Sequence, residues 1–296
     1  MIAFVNAKIN IGLRIVGKRT DGYHNLETLF YPVGLYAGTA ENPEAFGDVL
    51  EITPRRERGF SVKLTGRPVD CPLEKNLVHK AAKLYFDTLA SPDFGADITL
   101  DKHLPDGAGC GGGSADASFV LKTLSALDAK ADNECLAELA LRLGADCPFF
   151  IYNRPMYAEG VGEILESMPW LDLRGRWLLL VKPAVYVSTR EAFSGVNPKP
   201  SDFDLRQLPM LPVEEWRDVA VNDFEESIFP KHPELKKIKE QLYSSGAQYA
   251  SMTGSGSAIY GIFGEEITAR AAKSEFENNP TIEGSYLLKM YECVEF

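Results

Sequence analysis

Five glycines fall in the seven positions from Gly107 to Gly113, inside the stretch LPDGAGCGGGSADAS, and Ser114 follows directly. Glycine admits backbone conformations and close approaches that a Cβ forbids. The N–H groups of Gly109, Gly111, Gly112 and Gly113, with the unpaired first-turn amides of a helix starting at Ser114, can converge on phosphate oxygens. One helix end contributes only about 0.3–1 kcal/mol toward an anion at a surface, so several donors have to act together. The loop is not a Walker A sequence, because no Lys-Ser/Thr follows its last glycine, and its three adjoining glycines break a dinucleotide fingerprint. A flexible linker is the competing reading, but the patterned strand and Ala-rich helix on either side speak against it. Ser114 reads both as a helix N-cap and as a hydroxyl ligand for Mg2+.

Other residues with chemistry to offer stand apart from the loop. Lys102 just precedes it, as a nucleotide contact or as an exposed strand-end lysine. Asp146 lies in LGADCPFF, where apolar neighbours leave a carboxylate either partnered or functional; alone it also reads as a turn or cap. In the polar turn RTDGYHN, the Tyr23 ring can stack on a base and the His24 imidazole can hydrogen-bond its edge. His79, His103 and His232 read as structural, since no two histidines have metal-ligand spacing.

The elements that must position these groups follow from periodicity. Alternation over 4–16, a turn at 19–25 and a second strand over 26–36 predict an N-terminal β layer. Residues 48–54 and 60–66 read as a hairpin. Asn76 can cap a helix over 77–89 with Val78, Ala81, Ala82, Tyr85, Phe86 and Leu89 on one side. A strand over 95–104 and a helix over 114–129 flank the glycine loop. A helix over 134–144 starts after Asp132 or Asn133 and stops at Gly144, and 145–152 return to extended chain. Beyond a loop at 166–176 come a strand (177–183), a helix (236–244), two strands (247–252, 258–263) and a helix (266–276). The order predicts an α+β protein with a boundary near 166, giving domains 1–166 and 167–296, and the Pro-rich stretch 197–216 reads as a surface excursion.

Composition narrows the partners. With 296 residues and 45% hydrophobic content, the chain can bury one large core or two ordinary ones. A formal net charge of −11 argues against nucleic acid, whose phosphates need a basic face, so an anionic ligand must be held locally. Cys71, Cys110, Cys135, Cys147 and Cys293 are odd in number and never spaced CxxC, which fits neither a disulfide framework nor zinc and predicts a reducing compartment. The N-terminus has no basic lead-in, and WLLLV at 177–181 is far short of a membrane span. A soluble cytoplasmic protein with no membrane or nucleic-acid partner is expected.

Three separated stretches, NAKIN (6–10), LPDGAGCGGGSADAS (104–118) and SMTGSGSAIYGIF (251–263), match in order and separation the three motifs of the small-molecule kinases named for galactose, homoserine, mevalonate and phosphomevalonate. The chain resembles this GHMP kinase superfamily over nearly its whole length. Within it, DGYHNLETLF (21–30), LGADCPFF (143–150) and AEGVGEIL (158–165) are similar to the branch acting on a sugar alcohol linked to cytidine diphosphate.

The resemblance implies a two-domain α+β fold, with an N-terminal domain like ribosomal S5 domain 2, a ferredoxin-like C-terminal domain and the active site in the cleft. It implies ATP and Mg2+ as cofactors, a small-molecule substrate, and a monomer or homodimer. Lys8 and Asp146 would be the catalytic pair, the aspartate taking or orienting the substrate hydroxyl proton and the lysine contacting phosphate. Asn76 and Leu77 would approach adenine. Lys102, Gly107, Gly109, Gly111, Gly112, Gly113 and Ser114 would hold the rest of the nucleotide, with Ser114 on Mg2+. Tyr23, His24 and Phe193 would take the cytosine, and Asn10 and Thr189 would lie near the substrate phosphates or methylerythritol. The pattern departs from the family at Asn6, in place of a proline, at Cys110, in place of a leucine, and at Asp106, a carboxylate expected to face solvent. Two rivals are weighed down by particular residues: DGYH disfavours an uncytidylated alcohol, and Lys8 with Asp146 disfavours a regulatory protein that only binds nucleotide.

Overall fold

The computed structural model describes residues 1–34, 46–128 and 131–290. The expected strand positions 35–36, the helix end Ala129 and Cys293 lie outside the described residues.

The first half of the chain forms β1 (Ile2–Val5), β2 (Ala7–Lys18), β3 (His24–Val33), β4 (Asp48–Arg55), β5 (Gly59–Gly66), α1 (Leu77–Thr88), β6 (Gly95–Lys102), α2 (Gly112–Asp128), α3 (Asn133–Leu141), α4 (Cys147–Tyr152), β7 (Met156–Glu159) and β8 (Ile164–Ser167). The second half forms β9 (Trp177–Pro183), α5 (Thr189–Ser194), α6 (Phe224–Ile228), α7 (Pro233–Ser244), β10 (Tyr249–Met252), β11 (Ile259–Phe263), α8 (Glu266–Phe276) and β12 (Ile282–Lys289).

Local chemistry sets the helix starts. The Asn76 side chain accepts from the Val78 N–H and opens α1, and Asp132 does the same for α3 through Cys135. Val78, Ala81, Ala82, Tyr85 and Phe86 are the buried stripe of α1, as the spacing predicts, whereas Leu89 is the C-cap just past the helix and only half-buried. Helix α2 begins at Gly112, two residues earlier than expected, so the last glycines of the loop are themselves helical.

Among the described residues three four-stranded sheets result, in the orders β1-β4-β6-β5, β2-β3-β7-β8 and β10-β11-β9-β12. The residues of β4 and β5 alternate as a hairpin would, but they do not pair: β6 lies between them, antiparallel to β4 and parallel to β5. Alternation identifies a strand and not its neighbour, which is why the hairpin reading fails. Helices α1 and α2 pack with the first sheet around Leu50, Ile98, Tyr85 and Phe119. The third sheet is fully antiparallel. On one of its faces Leu179 and Val181 pack with α7 and α8, and on the other Leu178 and Leu180 share a core with Ala7, Ile9 and Ile11 of β2.

Two further expectations are corrected. Residues 145–152 are not extended, because Pro148 in the first turn and the left-handed Asn153 at the end bound the short helix α4. The stretch 197–216 is not only a surface excursion: 3-10 turns at Leu205–Met210 and Val213–Asp218 bury Leu205, Leu208, Val213 and Trp216 against β2 and the third sheet. No helix of the described residues is long and apolar enough to cross a membrane.

Candidate active site

Strand β2 presents its apolar residues to the core and turns Lys8 and Asn10 to the opposite face, where both are nevertheless buried. The Lys8 Nζ donates to Asn10 Oδ1 at 2.6 Å, sits 4.6 Å from the Phe30 ring centroid and lies 3.5 Å from Asp146 Oδ2. Asn10 in turn donates to Thr28 Oγ1 at 3.0 Å on the neighbouring strand. Asp146 directly precedes α4 but makes no capping hydrogen bond, so its carboxylate is left to face Lys8. The Lys8 N–H donates to the Cys110 carbonyl at 2.9 Å, which ties the strand to the glycine loop.

Gly107, Gly109 and Gly111 all have left-handed φ, at 61°, 75° and 70°. At Gly109 the need for glycine is double, because a Cβ would also collide with the Thr253 carbonyl oxygen. That contact belongs to a second glycine loop, Thr253–Ser257, which is zipped to the first. Ser257 N donates to Gly107 O at 3.1 Å, Ala258 N to Ala108 O at 3.3 Å, and Thr253 Oγ1 to Gly109 O at 3.2 Å. Among the described residues nothing accepts from the N–H groups of Gly111, Gly112, Gly113 and Ser114, or from those of Gly254 and Ser255. Two loops thus offer a set of unspent backbone donors, the arrangement that binds phosphate oxygens.

Lys102 is not an exposed strand-end lysine. It is buried beneath the loop, where its Nζ donates to Asp48 Oδ2 at 2.5 Å and to Asp116 Oδ2 at 2.7 Å. Asp48 Oδ1 also accepts from the His103 and Leu104 N–H groups at 2.5 and 2.7 Å. Two carboxylates share one ammonium. Burial pushes the Asp116 carboxyl well above the usual carboxylate range, although Lys102 pulls it down. A Cβ at Gly112 would stand 3.3 Å from Lys102 Nζ, so the lysine supports the start of α2 from below. Asp106 is exposed, as expected.

Asn76 spends its side-chain oxygen on capping α1, and Leu77 lies beside Gly113, whose Cβ would be 3.6 Å from Leu77 Cδ1. At the other end of the site, the His24 and Phe193 rings stack with centroids 5.0 Å apart and planes 22° apart, while Phe224 meets Phe193 edge-on at 4.8 Å. Tyr23 is 64% exposed and does not line the site. Thr189, at the start of α5, faces Ser255 with hydroxyls 3.4 Å apart.

A cavity of about 340 Å³ joins these parts. Of the expected residues, Lys8, Asn10, Gly107, Gly109, Gly111, Asp146, Thr189 and Phe193 line it. His24 reaches it through Phe193, whereas Asn76, Leu77, Gly112, Gly113, Ser114 and Lys102 stand behind or beside the loop. Its wall also holds Gly254, Ser255 and Gly256, from a stretch that in sequence serves only as a family mark, and Phe30, Tyr186 and Phe224. The glycines of SMTGSGS were the available signal for the first group; Phe30 and Phe224 carry none, because an aromatic in a strand or helix reads first as core, and Tyr186 carries none because a single loop tyrosine is commonplace.

Among the described residues no three His, Cys, Asp or Glu side chains converge as a metal cage. Mg2+ does not need such a cage, because it takes one or two protein oxygens and otherwise waters and phosphates. The oxygens on offer are Ser114, in the first turn of α2, and Asp146. Ser114 adjoins the Cys147 thiol, which burial pushes up to about 11, and burial also pushes Cys110 up to about 12. Both thiols stay neutral and add no negative charge to the site.

Comparison with known proteins agrees with this architecture. Residues 76–154 match the GHMP kinases N terminal domain, and residues 213–281 match GHMP kinases C terminal. A 4-diphosphocytidyl-2-C-methyl-D-erythritol kinase of Bacteroides fragilis is 46% identical over 280 residues, covering 94% of this chain and 96% of its own. Another of the same name, from Parabacteroides distasonis, is 47% identical over 89% of this chain and 92% of its own. A crystal structure of 4-(cytidine 5'-diphospho)-2C-methyl-D-erythritol kinase superposes with a TM-score of 0.79 at 30% identity, over 98% of this chain and 100% of that one. Mevalonate kinase from Methanococcus jannaschii shares the fold, with a TM-score of 0.69 at 13% identity over 98% of both chains. By sequence along nearly its full length, and by fold, the chain belongs to the 4-diphosphocytidyl-2-C-methyl-D-erythritol kinase family of the GHMP kinases.

Proposed function

We propose that the chain transfers the γ-phosphoryl group of ATP to the 2-hydroxyl of 4-diphosphocytidyl-2-C-methyl-D-erythritol, a step of non-mevalonate isoprenoid precursor synthesis. The observation that carries this reading is the placement of the Lys8–Asp146 pair in one cavity with two glycine loops and with Phe193 of the His24–Phe193 stack. An alcohol carrying a base at one end and a nucleotide triphosphate at the other would meet at that pair.

The substrate hydroxyl oxygen attacks the γ-phosphorus, the bond to the β–γ bridging oxygen breaks, and ADP leaves. Asp146 takes or orients the hydroxyl proton, and Lys8 offsets charge on the transferring group, held at its place by Asn10. The free amides of Gly111, Gly112, Gly113, Ser114, Gly254 and Ser255 hold phosphate oxygens without reorganising. Asn76 and Leu77 lie toward the adenine, and Lys102 acts from beneath the loop. Ser114, with the phosphates, would hold Mg2+, which supplies charge neutralisation when bound. Tyr23, His24 and Phe193 take the cytosine, and Asn10 and Thr189 face the rest of the alcohol. We divide the chain near residue 166 into a nucleotide-side and a substrate-side domain, and place the enzyme in the cytoplasm as a monomer or homodimer.

ADP release measured against a panel of alcohols, with and without a cytidine diphosphate group, tests the reading. Turnover confined to the cytidylated member is expected. Equal use of an uncytidylated alcohol would replace it with a generic GHMP kinase.

A further inference from the structure

Strand β2 meets the second glycine loop directly, the Asn10 N–H donating to Thr253 Oγ1 at 3.2 Å, and also through a buried side chain that the sequence passes over. Asn222, 3% exposed, follows the 3-10 turns and precedes α6. Its Nδ2 donates to the Met252 carbonyl at 2.8 Å and to the Gly254 carbonyl at 2.9 Å, and its Oδ1 accepts from the Phe224 N–H at 3.0 Å. Turned over, the amide would set its oxygen against two carbonyl oxygens, so the neighbours fix its orientation. Its backbone is pinned as firmly. Asn222 bridges Leu13 of β2, Leu13 N donates to Val221 O at 2.9 Å, Asp223 N donates to Leu13 O at 2.8 Å, and the Asp223 carboxylate accepts from Ile15 N at 2.8 Å.

We propose that Asn222 is a positioning residue that sets the second glycine loop for the nucleotide phosphates. The inference rests on reading the two loops as the phosphate site. Gly254 has a left-handed φ of 54°, and its carbonyl is drawn inward to the Asn222 amide instead of toward the cavity that Gly254, Ser255 and Gly256 line. A carbonyl oxygen facing the cavity would repel a triphosphate; drawn away, it leaves the Gly254 and Ser255 N–H groups as the polar face of the loop. Because its neighbours Val221 and Asp223 are bonded to the strand that carries Lys8, the phosphate donors and the catalytic lysine keep one relative position. Only an asparagine offers two donors and one acceptor at this reach. Aspartate would face two carbonyls with a carboxylate, and serine would leave at least one of them without a donor.

The test uses the full chain with Asn222→Asp and Asn222→Ser. Thermal midpoints, ATP dissociation constants by calorimetry, and kcat with KM for each substrate are measured beside the wild type. The expected result is a folded variant whose ATP dissociation constant and ATP KM rise about tenfold or more, because the released Gly254 carbonyl can turn toward the phosphates, with the KM for the cytidylated alcohol unchanged. Asn222→Asp should be the more severe. Unchanged ATP affinity in a folded variant overturns the proposal. So does a parallel loss of both substrates in step with the folded fraction, which marks a purely structural role. If Asn222→Asp does not fold, Asn222→Ser decides by the same criteria. A wild type that binds ATP but leaves the cytidylated alcohol unphosphorylated overturns the proposed reaction instead, with the comparison of ATP affinities intact.

Discussion

The Lys8 ammonium stands 3.5 Å from the Asp146 carboxylate, with the lysine held by Asn10 on β2 and the aspartate fixed at the start of α4. The two groups reach the cavity from elements 138 positions apart in the chain, so neither depends on the other for its placement. Asp146→Asn should therefore keep the fold and lower kcat by about 10²–10⁴, the usual contribution of a positioned acid–base group. Lys8→Met should cost about 10²–10³ in kcat, as for other preorganised charge stabilisers. Steady-state kinetics with calorimetric ATP titration checks both: ATP affinity should survive in Asp146→Asn while turnover falls.

The interlocked loops predict a contrast between two glycines four positions apart. Gly109→Ala must adopt a left-handed φ, at about 1–2 kcal/mol, and also displace the Thr253 carbonyl. Gly113→Ala needs neither, since it lies in α2 with only Leu77 near, 3.6 Å from the new Cβ. Chemical denaturation should find Gly109→Ala less stable and weaker for ATP, and Gly113→Ala close to wild type in stability.

Beneath the loop, the Asp48–Lys102–Asp116 cluster predicts a pH dependence. Burial raises the Asp116 carboxyl above its unfolded value, so folding favours the protonated form. That contribution is complete at and below the ordinary carboxylate range and is lost as pH rises through the raised value. Asp116→Asn is neutral at every pH, and its urea midpoint should fall less than that of the wild type between mildly acidic and alkaline buffers. Asp48→Asn is a different case, because it weakens the hold on Lys102, His103 and Leu104 together. A loss of about 3–5 kcal/mol is expected for breaking a buried pair of this kind.

At the substrate end, His24 and Phe193 occupy each other's faces at 5.0 Å, whereas two rings holding a base between them need about 7 Å. They must part for a base to enter. Phe193→Ala and His24→Ala should each weaken cytidine diphosphate by about 1–3 kcal/mol, the range for losing one stacking partner, with little change in ATP. Competition of cytidine diphosphate against the alcohol substrate measures this. Equal competition in the variants and the wild type would remove the rings from base recognition.

How much of this is legible in the sequence depends on whether a residue's role is local. The caps at Asn76 and Asp132, the stripe of α1 and the loop between β6 and α2 are set by neighbours in sequence, and the pattern predicts them. Pairing is not local, so β4 and β5 read as a hairpin until β6 is seen between them. Lys102 illustrates the same limit at the site. Its carboxylate partners are 54 and 14 positions away, and nothing in DKHLPDG distinguishes a buried triad from an exposed strand end. Residues 145–152 fail for another reason: a six-residue apolar run is too short for helical periodicity to separate it from a strand. Asn222 leaves no mark because asparagine in a polar turn is commonplace.

The shared core of β2 and the third sheet decides how ligands can enter. Ala7, Ile9 and Ile11 pack with Leu178, Leu180, Tyr249 and Tyr260, and the Tyr260 hydroxyl donates to the Asn10 carbonyl at 2.7 Å, on the very strand that carries Lys8. Rotation of one side of the cleft against the other would tear this core and the backbone bonds at Leu13. A hinge needs the reverse, a few yielding residues between bodies with little common interior. Access must come instead from ring flips at the mouth and small loop movements, so scattering curves of the empty and filled enzyme should overlay. Outside the His24–Phe193 stack an inhibitor would meet walls already standing, and its affinity there would report the fit alone, undiminished by work done to close the enzyme around it.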